Sequence, residues 1–312
     1  MQIFKIFALG CLLGLLAVGC VRSVPAPPAG LSRDWGEQKT FDYNGVKINY
    51  YDAGQGPPIL LLHGFAACAY TWRYLIPPLA ADHRVITMDL KGFGLSDKPA
   101  DGHYAVADQA EMVADFIRRH DLRDLVIMGH SMGGGVTLMT YLKLTETDPG
   151  RIKKLVLIDS AGYPQKLPWF IWMAKVPGLN TMLSKLLSPR FAATLVLKKC
   201  YYDKDKITEE QIDTYGYYGS LPGAVAALSQ TAKQIVPKGQ DMEALIAQYK
   251  TISVPVLVLW GKEDEVVPLE VGENFKRDIP DAKLVVIPHC GHIPLEEEAP
   301  ATRQAIMDFL KK

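Results

Sequence analysis

The sequence carries no surplus of charge. Its 312 residues hold 34 Lys+Arg against 34 Asp+Glu, a formal net charge of zero. Neutralising a phosphate backbone needs a basic surplus, so nucleic acid is excluded as a main partner. No run of five like charges occurs, and the C-terminal Lys311-Lys312 is too short to act as a basic tail. Cysteine is scarce. Of five cysteines, Cys11 and Cys20 lie in an apolar N-terminal segment, and Cys68, Cys200 and Cys290 share no paired spacing. Neither a disulfide framework nor a zinc site follows, which leaves isolated semi-buried thiols. No internal repeat is visible, against a solenoid or propeller. The longest N-terminal apolar run, Ile6 to Val18, is about 13 residues, short for a membrane span and right for the apolar part of an export signal.

That run ends in Leu16-Ala17-Val18-Gly19-Cys20, which resembles a bacterial lipobox with Ala17 where leucine is usual. In a lipobox the cysteine is lipidated and becomes the mature N-terminus, so Cys20 is the expected lipidation site. Ala17-x-Gly19 also fits ordinary signal cleavage, and an uncleaved anchor is the third option. The next residues, Val21-Arg22-Ser23-Val24-Pro25-Ala26-Pro27-Pro28-Ala29-Gly30, bury little and read as a tether. The expectation is residues 1–20 as signal, 21–38 as tether, and a protein of the cell envelope held to a membrane through its lipid.

Beyond the tether, apolar runs of strand length alternate with longer helical stretches. Lys39 to Ala53 reads as two strands around the Asn44-Gly45 turn. Ile59-Leu62, Val85-Met88, Leu125-Met128, Leu155-Ile158, Val256-Trp260 and Leu284-Ile287 are nearly all apolar, as strands buried on both faces are. Val106, Ala110, Val113 and Ile117 recur at helical spacing. The fold class is α/β, a mostly parallel twisted sheet flanked by helices. The alternation breaks over residues 163–236, where prolines split helix-like pieces. A helical cap inserted between core segments 39–162 and 237–312 follows, lying over the edge where such sheets bind ligands.

The chemistry gathers at Leu125-Val126-Ile127-Met128-Gly129-His130-Ser131-Met132-Gly133, a buried strand running through Gly-x-Ser-x-Gly into a helix. A sharp turn there pushes a serine Oγ into the open and needs small neighbours, which Gly129 and Gly133 supply. A serine is a weak nucleophile without a base. His292, just past the Leu284-Ile287 strand, is the candidate, with His289 as rival. Asp264, past the preceding strand, is the candidate acid to orient it, with Asp159 as alternative. An oxyanion needs two backbone N–H donors. Met132 follows the serine, and Phe65 lies in the His63-Gly64-Phe65 loop after Ile59-Leu62. His63 itself reads as a loop brace.

Together with Trp72 and Asp89-Leu90-Lys91-Gly92-Phe93-Gly94-Leu95-Ser96, these motifs resemble the α/β-hydrolase superfamily. The nearest branch holds capped esterases, monoacylglycerol-type lipases, carbon–carbon bond hydrolases and cofactor-free haloperoxidases. The resemblance runs from Lys39 to the C-terminus. Sibling epoxide hydrolases and haloalkane dehalogenases carry aspartate where Ser131 stands. It implies a serine esterase or small-lipid lipase acting through an acyl-enzyme, with no cofactor and no metal. Gly92-x-Gly94 lacks the Lys-Ser/Thr ending of a phosphate loop and is structural in this family.

Trp169 and Trp172, in the most apolar stretch of the cap, are expected to line the substrate site or touch a membrane. No acidic or basic cluster demands a charged substrate, so a neutral or amphipathic ester is the expected partner. Hydrolysis of a diketone carbon–carbon bond is the alternative reading. A tethered binding protein that has lost turnover is the third.

Overall fold

The computed structural model describes Pro28 and residues 35–176, 178–236 and 240–311. Cys20, the signal and most of the tether lie outside the described residues. Eight strands form one sheet: β1 (Glu37–Tyr43), β2 (Val46–Ala53), β3 (Pro58–Leu62), β4 (Arg84–Met88), β5 (Leu125–His130), β6 (Ile152–Ile158), β7 (Val256–Gly261) and β8 (Ala282–Ile287). Their order is β1-β2-β4-β3-β5-β6-β7-β8, and β2 alone runs against the rest. All residues of β5 and β7 are buried, which is why those strands read as unbroken apolar runs.

The hairpin turns at Asn44 (φ 54°) and Gly45 (φ 83°). Two positive φ angles in a two-residue turn match the strands' right-handed twist, and Asn-Gly is the pair that adopts them most readily. The folded chain starts earlier than residue 39. Trp35 is buried edge-on against Tyr51 and Tyr70, with ring centroids 5.3 and 5.9 Å away, and β1 begins at Glu37. The Pro-rich character ends before Trp35, and the aromatic contact draws the last tether residues into the core. The expectation for β8 also needs correcting. It is the outer strand, and Val286 is 37% exposed, so only part of its apolar run is covered.

Helices α1 (Ile76–Ala80), α2 (Val106–Arg119) and α3 (Met132–Thr147) precede the cap. Val106, Ala110, Val113 and Ile117 of α2 are all buried, as their spacing predicts. Between β6 and β7 come α4 (Trp169–Lys175), α5 (Leu179–Leu186), α6 (Pro189–Cys200), α7 (Glu209–Ser220), α8 (Ala224–Gln234) and α9 (Gln240–Gln248). The helical stretch therefore continues past residue 236 into α9. Within it α6 packs on α7, while α4, α5 and α8 pack together. Helices α10 (Leu269–Asp278), α11 (Pro294–Glu297) and α12 (Ala299–Leu310) complete the chain. Among the described residues, no helix is long and apolar enough to cross a membrane.

Candidate active site

The strand order turns at β3, with β4 on one side and β5 on the other. Loops leaving the C-terminal ends of β3 and β5 diverge there and open a crevice. Every sequence-predicted catalytic residue lies on this edge, in loops after β3, β5, β7 and β8.

Ser131 joins β5 to α3 with φ 52° and ψ −120°. A non-glycine residue in this region stores about 1–3 kcal/mol of strain and persists only when its surroundings fix it. Its N–H donates to the Ile158 carbonyl of β6 at 2.9 Å. A Cβ on Gly129 would sit 2.3 Å from the Gly133 carbonyl, and one on Gly133 would sit 2.3 Å from that of Leu62. Larger residues at either position would push the turn apart.

His292 Nε2 is 3.0 Å from Ser131 Oγ, and His292 Nδ1 is 2.8 Å from Asp264 Oδ2. The other Asp264 oxygen accepts the N–H groups of Val266 and Val267 at 2.7 and 3.0 Å. The carboxylate is thus fixed by its own loop, and its side chain is wholly buried. With Nδ1–H donating to Asp264, Nε2 is left free to accept the serine proton. His289 is exposed, beside Tyr202, and does not reach the serine.

Asp159 belongs to the same cluster. It is fully buried at φ 42°, and its Oδ1 accepts the Gly261 N–H at 2.9 Å. One oxygen each from Asp159 and Asp264 and a nitrogen of His292 lie within 4.8 Å of one another. Burial, then the neighbouring Asp264, push the Asp159 carboxyl well above the usual range. Burial and a neighbouring carboxylate both favour its protonated form.

The N–H groups of Phe65 and Met132 have no acceptor among the described residues. Gly64 brings the first loop close, since a Cβ there would lie 3.0 Å from Ser131 Cβ. His63 is fully buried, its Nδ1 2.7 Å from the Gly64 carbonyl and its Nε2 accepting the Leu90 N–H at 3.0 Å. It braces the loop in one neutral tautomer. The Gly92-x-Gly94 segment is equally structural. A Cβ on Gly94 would overlap the Asp89 carboxylate, whose oxygens accept the N–H groups of Ala69 and Leu95 at 2.7 and 2.9 Å.

A cavity opens beside Ser131, lined by Met139, Leu167, Ile171, Ile235, Met242 and Val267 among others. Its described lining includes no Lys or Arg. Trp169 and Trp172 do not line it. They are 41% and 58% exposed, on the outer side of α4, while Ile171 of the same helix points inward. Apolar character in a short helix does not say which side faces the core, and here Leu167 and Ile171, not the tryptophans, face the cavity.

Sequence reasoning missed how the cap grips the histidine loop. The His292 N–H donates to the Cys200 carbonyl at the end of α6 at 2.6 Å. His130 Nε2 is 2.7 Å from the His292 carbonyl. Burial, then the nearby His292, lower the His130 pKa to about 3, so the ring is neutral and donates this bond. Glu296 of α11 pairs with Arg73 at 2.9 Å and accepts Thr71 Oγ1 at 2.9 Å and Gln211 Nε2 of α7 at 2.7 Å. Glu297 accepts the N–H groups of Gly291, Tyr202 and Asp203 at 2.8, 3.1 and 2.6 Å. The only sequence hint was the run of three carboxylates, Glu296-Glu297-Glu298, close behind His292.

A switch-point crevice holding a strained serine after β5, a buried carboxylate after β7 and a histidine after β8 defines a class of hydrolase. Residues 57–299 match the alpha/beta hydrolase fold family, and the chain belongs to it. The uncharacterized hydrolase YugF of Bacillus subtilis (strain 168) is 30% identical over 277 residues, covering 88% of this chain and 97% of its own. The 2-hydroxy-6-oxo-6-(2'-aminophenyl)hexa-2,4-dienoic acid hydrolase of Metapseudomonas resinovorans is 31% identical over 285 residues, 88% of this chain and 91% of its own. Among solved structures, a meta-cleavage product hydrolase variant superposes with TM-score 0.72 at 26% identity, covering 88% and 97% of the two chains. A membrane phospholipase A does so with TM-score 0.69 at 26% identity, covering 88% and 86%.

Proposed function

We propose that Ser131, His292 and Asp264 make this chain a serine hydrolase. The observation that carries the reading is the unbroken relay Ser131 Oγ–His292 Nε2 (3.0 Å) and His292 Nδ1–Asp264 (2.8 Å) beside two unpaired backbone donors. Ser131 Oγ attacks a substrate carbonyl while His292 takes its proton. The resulting oxyanion accepts the Phe65 and Met132 N–H groups, each worth about 3–4 kcal/mol of barrier. His292 then protonates the leaving group, and water repeats the sequence on the acyl-enzyme.

On the bond cleaved, the relatives favour the carbon–carbon reading over the ester expected from the sequence. The acid named for the Metapseudomonas relative contains a ketone and no ester, so its hydrolysis breaks a carbon–carbon bond. The leaving group protonated by His292 would then be a stabilised carbanion. Ester hydrolysis is the second reading, and a specific observation favours it. Such dienoic acids carry a carboxylate, and the described lining of the cavity offers no Lys or Arg to meet it. An uncharged, apolar substrate fits that lining better.

The test is turnover of the purified chain on p-nitrophenyl esters of rising chain length and, separately, on a ring-fission dienoate and an uncharged 1,3-diketone. Ser131→Ala should lower kcat on the accepted substrate by about a millionfold. Serine-dependent turnover of either ketone substrate alone supports the first reading, and of esters alone the second. Full turnover by Ser131→Ala would reject the mechanism. A chain that neither turns over nor is labelled at Ser131 by a fluorophosphonate would be a binding protein.

A further inference from the structure

Ten large apolar side chains are exposed among the described residues, and five of them, Trp169, Trp172, Met182, Leu186 and Phe191, fall on the consecutive helices α4, α5 and α6. Scattered exposed apolar residues need no explanation, but a concentration in one short stretch does. On α4, Trp169, Trp172 and Lys175 are three residues apart and share the outer face, while Ile171 and Ala174 are buried. On α5, Met182 and Leu186 are four apart and both exposed, and no described side chain of this helix is buried.

The charge of the same stretch is one-sided. Between Asp159 and Asp203 the chain has six cations, Lys166, Lys175, Lys185, Arg190, Lys198 and Lys199, and no acid, although the whole chain is neutral. Arg190 pairs with Glu209 and Asp213 of α7, and Lys199 with Glu265. Lys166, Lys175 and Lys198 are exposed and pair with no carboxylate among the described residues.

We propose that the outer face of α4 and α5, with the start of α6, docks on an anionic lipid bilayer. Tryptophan prefers the interface between headgroups and acyl chains, the apolar side chains enter below it, and the lysines reach back to the phosphates. Helices of 7 and 8 residues are too short to span and lie in the plane of the surface. A second copy of this chain is a poor occupant, because the same face would oppose lysine to lysine. The docked face backs onto the catalytic cavity, since Ile171 on the inner side of α4 lines it and Leu167 and Pro168 lead into it. A substrate dissolved in the bilayer would enter beneath α4. The proposal holds for either bond cleaved.

The test uses the full chain and a readout local to the cap, so that attachment through the N-terminal apolar run does not mimic docking. Of the five tryptophans, Trp35, Trp72 and Trp260 are buried, and only Trp169 and Trp172 can meet acyl chains. The expected result is quenching of tryptophan emission by vesicles of brominated phosphatidylcholine mixed with phosphatidylglycerol. It should be weaker without phosphatidylglycerol and largely absent in Trp169→Phe/Trp172→Phe. Replacing Lys166, Lys175 and Lys198 by alanine should weaken docking by about fivefold each at low salt. Three results overturn the proposal: vesicle-bound protein whose emission is unquenched, quenching indifferent to phosphatidylglycerol and to the lysines, or emission that changes with protein concentration alone, which marks self-association.

Discussion

Burial and the neighbouring Asp264 favour the protonated form of Asp159 in the folded chain. An acid whose folded pKa is raised contributes most stability below its unfolded value of 3.8, and that contribution is lost as pH climbs toward the folded pKa. Asp159→Asn keeps the shape without the ionisation. It should therefore be more stable than the parent near neutrality and no more stable near pH 3.8, as urea midpoints across a pH series will show. His130 has the opposite sign. Its pKa falls from 6.5 to about 3 on folding, so stability is lost as pH drops through that window, and His130→Gln should flatten the acid limb of the same curve. If Asp264 is the acid that orients His292, as proposed, Asp264→Asn should lower kcat by about ten-thousandfold. If Asp159 ionises in its place, the double variant Asp264→Asn/Asp159→Asn will be slower still. The meeting of Ser131, Asp264 and His292 could be anticipated because each lies shortly past the end of an apolar strand and carries a distinct chemistry. Asp159 was legible only as a rival to Asp264. Its place in one buried cluster with Asp264 and His292 depends on strand adjacency between β6 and β7 that no local pattern encodes.

At the scale of elements, the buried pair of Glu296 and Arg73 joins α11 to the turn after β3. Removing one partner strands the other charge out of water. Arg73→Met should cost about 3–5 kcal/mol, read from the urea midpoint, and adding Glu296→Gln should recover part of it. Central strands were plain in the sequence because both their faces are covered. β8 was overread because an edge position leaves the same residues part-exposed. The cap appeared only as a proline-broken block. Its helices are short, and their inner faces are set by what they meet in three dimensions, which is why the sequence left both a substrate-facing and a membrane-facing placement open for the two tryptophans.

Across the whole molecule, cap and histidine loop form one hydrogen-bonded unit. His292 hangs from Cys200, and the three amides held by Glu297 straddle the junction. A rearrangement of α6 would be felt at His292 through its bond to Cys200. Glu297→Ala should accordingly speed amide exchange at Gly291, Tyr202 and Asp203 and lower kcat more than it raises KM, with the exchange read by NMR or mass spectrometry.

The three cysteines of the folded domain are all free and buried, with Cys200 and Cys290 flanking the histidine loop. Burial raises each thiol above its usual value, so none ionises readily to attack an oxidant or another thiol. The fold consequently asks nothing of its compartment's redox poise. A chain made in a reducing cytoplasm and one matured in an oxidising periplasm should share the same melting temperature, unmoved by dithiothreitol.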